Sequence, residues 1–466
     1  MIGVDEALAR VLAGCRPLPA EESPLLDALG RVLAEDVVAD FDVPPFRNSA
    51  MDGYAVRSAD LAEAGRERPA LLRVVADSPA GYAPSATVEP GTAVRIMTGA
   101  PLPPGADTVV RFEETSEADD PRAIARDSAE PRLVGIRVAQ PAWVNVREAG
   151  EDVRRGETVL RAGTVLRPAE LGVLASLNRA TALVHRRPTV AILATGDEVV
   201  EPGAALRPGQ IRDSNSYALA GLVLKYGGVP HLLGAARDET ADLREKLERG
   251  RHADLIISSG GVSVGDYDLV KDVLRSAGRI DLWQVRMKPG KPLAFGHLGG
   301  RPFLGLPGNP VAAYVSYELF GRPLLLRLGG HHAITPPAIS ARLLEPVDSR
   351  GGRRHFVRAR VEPGPDGPVV RPTGDQGSGV LTALTRANGL LVIPDGVSAV
   401  PAGSQVEVLL LHWAHGADEA ALLRGQLAQP QWPDPSRTAR SDQTAEGAGG
   451  PPPRATTSAR GQPCTW

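Results

Sequence analysis

Lysine is nearly missing from this chain. Lys and Arg total 52, yet lysine stands only at Lys225, Lys246, Lys271, Lys288 and Lys291. A compact ammonium suits a tight oxyanion site better than a broad guanidinium does. Two of these rare lysines fall in one loop, Lys288-Pro289-Gly290-Lys291-Pro292, which marks that loop as a candidate anion seat; chance retention in an Arg-biased composition is the plain alternative. Cysteine is scarcer still. Cys15 and Cys464 lie near opposite ends, with no CxxC or Cys/His metal pattern, which fits a reducing, cytoplasmic setting. No apolar run is long enough to span a bilayer. The first residues lack the basic segment and apolar stretch of a secretory signal. A net charge of −3 gives no global reason to expect nucleic acid or a membrane as partner. What remains is a chain of 466 residues, 42% hydrophobic and 23% charged, with the composition of a soluble globular protein and a length that predicts several domains.

The rhythm changes along the chain, with no internal repeat. Val4 to Cys15 reads as a short helix with Asp5 as N-cap. Leu- and Val-rich segments follow to Asp42. Residues from about 42 to 152 have strand-like runs broken by Gly and Pro, and Glu117 to Glu130 reads as an exposed acidic loop. From Arg187 strands (Thr189–Ala194, which reads as buried, Val229–Ala236 and Asp254–Ile257) alternate with helices (Ser214–Tyr226, Thr240–Arg249, Leu269–Ser276), the pattern of a parallel sheet covered by helices. A helix from Val311 to Leu328 closes this unit. Strands return at His355–Val361, Val369-Val370, Leu390–Ile393 and Val406–Leu411, predicting a small β domain. Beyond His415 a possible short helix at Glu419–Leu427 precedes a Pro/Ser/Thr/Gly/Arg-rich tail with too little apolar surface to offset ordering entropy.

Three Gly/Pro-stiffened loops follow apolar runs: Ser258 to Asp266 with Ser259-Gly260-Gly261, Lys288 to Pro292, and Gly305-Leu306-Pro307-Gly308-Asn309-Pro310. Glycines let a backbone approach a ligand and aim N–H groups at oxyanions. Ligands of open α/β sheets bind beyond the carboxyl ends of the strands. Thr195-Gly196-Asp197-Glu198 and Arg237-Asp238-Glu239 fall there too, and Asp213-Ser214-Asn215 precedes the first helix of the unit. Carboxylates beside a phosphate site are the usual way to hold magnesium. Each piece has a structural alternative: Gly196 can simply permit a turn, and Asp213, Asp238 and Asp268 can cap helices. Gly260-Gly261 is neither a Walker A sequence nor a GxGxxG fingerprint. In the early region Asn48 to Val56 forms a polar turn around Asp52, while Thr98-Gly99-Ala100 and Glu148 to Asp152 are further turns.

Taken together, Asn48-Ser49-Ala50-Met51-Asp52-Gly53-Tyr54-Ala55, Arg95-Ile96-Met97-Thr98-Gly99-Ala100, Thr195-Gly196-Asp197-Glu198, Ser259-Gly260-Gly261-Val262-Ser263-Val264-Gly265, Lys288-Pro289-Gly290-Lys291-Pro292 and Leu306-Pro307-Gly308-Asn309-Pro310 resemble the signature segments, in order, of the molybdopterin molybdenumtransferase family, the MoeA type that includes the gephyrin E domain. The resemblance runs from the first helix to about residue 412. It implies a multidomain α/β-plus-β fold: residues 1–22 with 187–330 as a molybdopterin-binding α/β domain, 23–41 with 153–186 as a linking subdomain, 42–152 as a β-rich lobe, 331–412 as a C-terminal β-barrel-like domain, and 413–466 as a disordered tail. It also implies a homodimer whose active sites are shared between subunits.

The implied reaction inserts molybdenum from molybdate into adenylylated molybdopterin and releases AMP, with a divalent metal, usually magnesium. By the resemblance, Ser259, Gly260, Gly261, Pro307, Gly308, Asn309 and Pro310 hold the pterin phosphate and nucleotide, and Thr98 and Asp213 join the substrate contacts. Asp238 and Asp268 match metal-binding carboxylates. Lys288 and Lys291 neutralise molybdate, with Arg358 and Ser378 as further molybdate-site residues, and Asp52, Glu198, Asp152 and Arg147 match positions with functional roles. One departure stands out. Where the family often has serine after Asn-Pro-Val, this chain has Ala312, which predicts altered molybdate affinity. The adenylyltransferase that makes the pterin substrate usually lacks the extra lobes, and a related nucleotide-hydrolysing family is disfavoured for the same reason. A receptor-clustering scaffold leaves the lysine and carboxylate set unexplained. The upstream adenylyltransferase is expected as a transient partner.

Overall fold

The computed structural model describes residues 1–119, 132–237, 239–261, 278–349 and 352–411. The expected helix at Leu269–Ser276, most of the acidic stretch after Asp119, and the tail beyond Leu411 lie outside the described residues.

Six strands form the sheet that positions the site, in the order Val229–Ala236, Thr189–Thr195, Leu255–Ser259, Arg301–Leu306, Pro292–Leu298, Gly278–Gln284. The two strands flanking Thr189–Thr195 run parallel to it, and Arg301–Leu306 runs parallel to Leu255–Ser259. Alternate residues feed two cores. Val190, Ile192, Leu255 and Ile257 pack on one face, and Ala191, Leu193 and Ile256 on the other. Coverage on both faces explains why these strands read as unbroken apolar runs.

The sheet is mixed, where a parallel one was expected. Pro292–Leu298 runs antiparallel to both neighbours. Leu298 pairs with Arg301, so Gly299-Gly300 forms a two-residue hairpin turn with φ of 55° and 80° at its two glycines. A turn of that kind demands positive φ at both central positions and forces reversal. Gly278–Gln284 therefore points the same way as the parallel strands, and the Lys288–Pro292 loop emerges at the carboxyl edge with the others.

The first helix spans Val4–Leu12 and packs Val4, Ala7 and Val11 into the core that also holds Val190 and Ile192. Asp5 is not its N-cap. Gly3 occupies that position, because Ile2 is already bridged to Val285 and the helix starts at Val4. Asp5 instead receives two 2.9 Å bonds from the Arg354 guanidinium.

The helix after the Gly305–Pro310 loop is interrupted. Pro310–Ser316 and Arg322–Leu328 are α-helical, but Tyr317–Gly321 is a π-turn. Pro323 lacks an N–H and its ring crowds the carbonyl four residues back, which favours widening the ladder at this point.

Ala28, Leu33, Val37 and Ala39 share a separate core with Val153, Leu166, Leu174 and Val184. A five-stranded sheet, in the order Thr108–Arg111, Gly53–Val56, Thr92–Ile96, Ala70–Ser78, Leu133–Ile136, has its own cores. Glu117, expected in an exposed loop, is buried on a 3-10 turn. It accepts from the Tyr54 hydroxyl at 2.7 Å and from Arg95 at 2.7 Å, partners too distant in sequence to show locally.

Toward the C-terminus five strands close into a ring: Arg354–Glu362, Val369–Pro372, Ala338–Leu343, Gln405–Leu410 and Gly389–Ile393, the last pairing back to the first. Met287–Lys288 adds to this barrel, parallel to Arg354–His355. Phe356, Leu384, Leu390 and Leu411 join the α/β core, so the barrel and the α/β sheet share apolar packing.

Candidate active site

The carboxyl edge of the α/β sheet opens into a cavity of about 1180 Å³. The structure brings Glu198, Asp213, Ser259, Gly260, Gly261, Lys288, Lys291, Pro307, Gly308, Asn309, Pro310 and Ser378 together in its wall. Two glycines are required here. Gly260 has φ +96°, and a Cβ on it would lie 2.6 Å from Thr195 Oγ1. Gly290 has φ +102°, and a Cβ there would lie 2.5 Å from Ser316 Oγ.

The loops are tied to one another. The Gly260 amide donates to Leu306 O at 3.0 Å. Asn215 Nδ2 donates to Ser259 Oγ and to Gly308 O, both at 2.7 Å. Asn309 Nδ2 donates to Ser378 Oγ at 3.0 Å, and the Val311 amide donates to Ser378 O at 3.0 Å. The barrel loop is therefore fastened to the start of the helix that carries Ala312, which also lines the cavity.

Polar groups around this cavity are incompletely satisfied. Asp213 is 3% exposed; its Oδ1 accepts the Ser216 amide at 3.0 Å, which caps the helix Asn215–Lys225, while Oδ2 has no partner among the described residues. Arg358 is fully buried. It sits behind the cavity wall, with Nη2 donating to Asp375 O and Gly377 O at 3.0 Å each, and with Nε and Nη1 unpartnered among the described residues. Burial pulls its pKa below the usual guanidinium value. Gln376 clamps the same backbone: the Arg358 amide donates to its Oε1 at 2.9 Å and its Nε2 donates to Arg358 O at 3.1 Å. Lys288 and Lys291 are half-buried, and neither ammonium forms an ion pair among the described residues. Buried polar groups are normally paired, so such a cluster points to a polar ligand.

Asp52, Thr98, Arg147 and Asp152 are not in the cavity wall. Asp52 Oδ1 accepts from the Thr98 amide at 2.7 Å and from its hydroxyl at 2.8 Å. The Thr98 amide, then its hydroxyl, with help from Arg95 and against some burial, holds the Asp52 carboxyl below the usual range. Arg147 is on a short strand paired to Asn48–Ser49, and the Asp152 amide donates to Val43 O at 3.0 Å. All four side chains are exposed on the β-rich lobe. Asp238 and Asp268 lie outside the described residues. Arg353, Asp375 and Gln376 of the wall carry no pattern in the sequence that marks them as site residues, whereas the place of Asn215 after Asp213 at a helix start is such a signal.

A glycine-built cradle, two uncommitted lysines and a barrel loop, at the carboxyl edge of an α/β sheet, make up a multidomain protein with a cleft suited to an anion. Three family profiles match the chain: the MoeA N-terminal region (domain I and II) at residues 2–178, a probable molybdopterin binding domain at 191–327, and the MoeA C-terminal region (domain IV) at 340–411. The chain is 41% identical over 408 residues to molybdopterin molybdenumtransferase 2 of Mycobacterium tuberculosis, covering 86% of this chain and 96% of that protein. It is 40% identical over 392 residues to the molybdopterin molybdenumtransferase of a Nostoc species, covering 82% and 87%. A crystal structure of the molybdopterin biosynthesis moea protein from Pyrococcus horikosii superimposes with a TM-score of 0.74 at 32% identity, covering 88% of this chain and 99% of that one. The chain belongs to the molybdopterin molybdenumtransferase family of the MoeA type.

Proposed function

We infer that this protein is a molybdopterin molybdenumtransferase, which inserts molybdenum from molybdate into adenylylated molybdopterin and releases AMP in molybdenum cofactor biosynthesis. The observation that carries the reading is the pair of uncommitted lysines, Lys288 and Lys291, in one cavity with the Gly260-Gly261 turn. The Gly260-Gly261 and Gly305–Pro310 loops take the phosphates and nucleotide, where backbone N–H groups favour negative charge. Lys288 and Lys291 take molybdate, a compact dianion, and stabilise charge that builds during transfer. Arg358 shapes that seat by holding the carbonyls of Asp375 and Gly377, which presents Ser378 to the cavity.

Magnesium fits the oxygen chemistry of the wall. Glu198 and Asp213 both line it, and the buried Oδ2 of Asp213 lacks a partner. Carboxylates of this kind, with Asp238 and Asp268 as the family-matched ligands, suit a hard cation. A metal held there would screen phosphate charge and supply Lewis acidity to the anhydride. The described residues contain no group of three or more ligand side chains arranged for a metal, and Asp238 and Asp268, by the family match, would complete the set.

Asp52, Thr98, Arg147 and Asp152 have their roles in a homodimer, where one subunit's β-rich lobe completes the cavity of the other. Their exposure on a lobe with its own core supports this. The upstream adenylyltransferase is the expected donor of the pterin through a transient contact. No helix among the described residues is long and apolar enough to cross a membrane, and a cytoplasmic setting suits the reaction.

The test is incubation with adenylylated molybdopterin, molybdate and magnesium, measuring AMP release and active cofactor. Adenylylated pterin that binds but stays intact with molybdate present rules the enzyme reading out.

A further inference from the structure

One turn of the β-rich lobe holds two left-handed residues. Trp143 has φ +69° and Asn145 φ +56°, two of the three positive-φ residues other than glycine among the described residues. Such residues persist where their surroundings over-determine them, and they gather at functional sites. The surroundings here are of that kind. The Trp143 amide donates to Asp107 O, and Val144 O accepts the Val109 amide at 3.1 Å and the Thr108 hydroxyl at 3.2 Å. Asparagine enters the left-handed region more readily than a bulky residue does. Asn145 Nδ2 donates to Val109 O at 2.8 Å. That carbonyl also accepts from Gln140 Nε2 at 2.7 Å, so it stays satisfied without the Asn145 bond.

Two candidate site residues of the lobe are joined at Asn145. Its carbonyl accepts the Ala50 amide at 2.9 Å, and Asp52 stands two residues after Ala50. The other side of the Asp52 turn is fastened by Thr98, through its two bonds to Asp52 Oδ1, and by the Gly99 amide, which donates to Ser49 O at 2.8 Å. Along the chain, Asn145 leads directly into Val146–Arg147, the strand paired with Asn48–Ser49. Its side chain meanwhile ties this junction to the sheet strand Thr108–Arg111.

We propose that Asn145 is a positioning residue of the reaction: it fixes the spacing between the Asp52 carboxylate and the Arg147 guanidinium, so that the lobe presents both to the substrate as one rigid pair. The proposal rests on the reading of Asp52 and Arg147 as site residues. Asn145 acts through the backbone of Ala50 and of Arg147 and needs no contact with substrate. A displacement of about 1 Å at a reacting group can cost on the order of 100-fold in rate. The fold itself loses little with the Asn145 amide, because Val109 O keeps Gln140 as donor.

The experiment is molybdate-dependent AMP release from adenylylated molybdopterin by the full chain, with kcat and the KM for the pterin measured separately and a melting curve for each variant. Asn145→Gly keeps access to the left-handed region and removes only the side-chain bond. Expected is a kcat lower by about 10- to 100-fold with KM within about twofold of the wild type, and an unchanged thermal midpoint. Asn178→Ala is the stability control. Asn178 has φ +60° and follows the helix Pro168–Ser176, so this variant should melt earlier and keep the wild-type kcat. An equal kcat loss in Asn178→Ala would reduce the effect to stability and overturn the proposal. The double variant Asp52→Ala/Asn145→Gly shows whether the two residues act together. A combined loss smaller than the product of the single losses supports the proposal, because residues that act as a unit are not additive. An unchanged kcat in Asn145→Gly, or single losses that multiply, overturns it. If Asp52→Ala is slow and Asn145→Gly turns over as the wild type does, Asn145 alone is removed and the role of Asp52 stands. If Asp52→Ala and Arg147→Ala both turn over as the wild type does, the reading of the lobe falls and the proposal with it. Should Asn145→Gly fail to fold, Asn145→Asp keeps the shape and the left-handed preference, withdraws the donor, and decides by the same kcat and double-variant measurements.

Discussion

At the amino edge of the α/β sheet the carboxylate of Asp254, 3% exposed, is saturated: Arg186 gives it two bonds of 2.7 Å, the Thr189 amide one of 2.9 Å and the Thr189 hydroxyl one of 2.7 Å. At the carboxyl edge of the same sheet Asp213 Oδ2 and Ser258 Oγ are equally hidden and have no partner among the described residues. Both edges bury polar groups, and only one satisfies them internally. A saturated buried charge fixes the fold, whereas unsaturated groups beside a cavity are kept for something that comes and goes.

The largest expected effect is at the carboxyl edge. Lys291→Ala should lower molybdate-dependent turnover about 100-fold, the scale of losing one oxyanion-stabilising donor, with the thermal midpoint unchanged. AMP release and a melting curve check both halves, and an equal loss of pterin binding would give the lysine to the phosphate instead. At the amino edge, Asp254→Ala should cost about 2–3 kcal/mol in urea unfolding, the low end for breaking a buried pair because Arg186 is partly solvated. A cost of a few tenths would erase the contrast between the edges.

Acid sharpens the same point. Burial pushes the Asp254 carboxyl up, but the Arg186 and Thr189 bonds outweigh it, so its pKa in the fold is below the ordinary carboxylate value. A lowered folded-state pKa stabilises the protein above the unfolded value of about 3.9, and that contribution is lost as pH falls through the folded pKa. Acid unfolding of Asp254→Asn should accordingly show a shallower dependence on pH than the wild type in that window. The smallest effect belongs to Ala312→Ser. A few-fold change in the molybdate concentration dependence is expected, with stability within about 0.5 kcal/mol. No change at all would remove the significance of the alanine at this position.

Much of the fold could be read from residues alone because burial on both faces leaves a local trace. Val190–Ala194 and Leu255–Ile257 are unbroken apolar runs for that reason. The reversal of Pro292–Leu298 was written in Gly299-Gly300, a two-residue glycine turn, but an apolar run does not announce its direction. Glu117 read as solvent-facing because the residues that bury it, Tyr54 and Arg95, are far away in sequence. At the site, the glycine turns and the rare lysines were legible, since backbone approach and charge leave compositional marks. Gln376 was not, because what distinguishes it is the distant backbone of Arg358 that it clamps. That is a property of three-dimensional packing alone.

The chain leaves Met287–Lys288, a strand of the barrel, and four residues later enters the α/β sheet at Pro292. The lysine loop is thus bolted to two domains at once, and those domains share a core. A loop held at both ends over so short a span has little freedom to fold down over its cargo. Under the proposed role of Lys288 and Lys291, the anion would have to come to the lysines, and a seat fixed in this way would select it by size and charge alone.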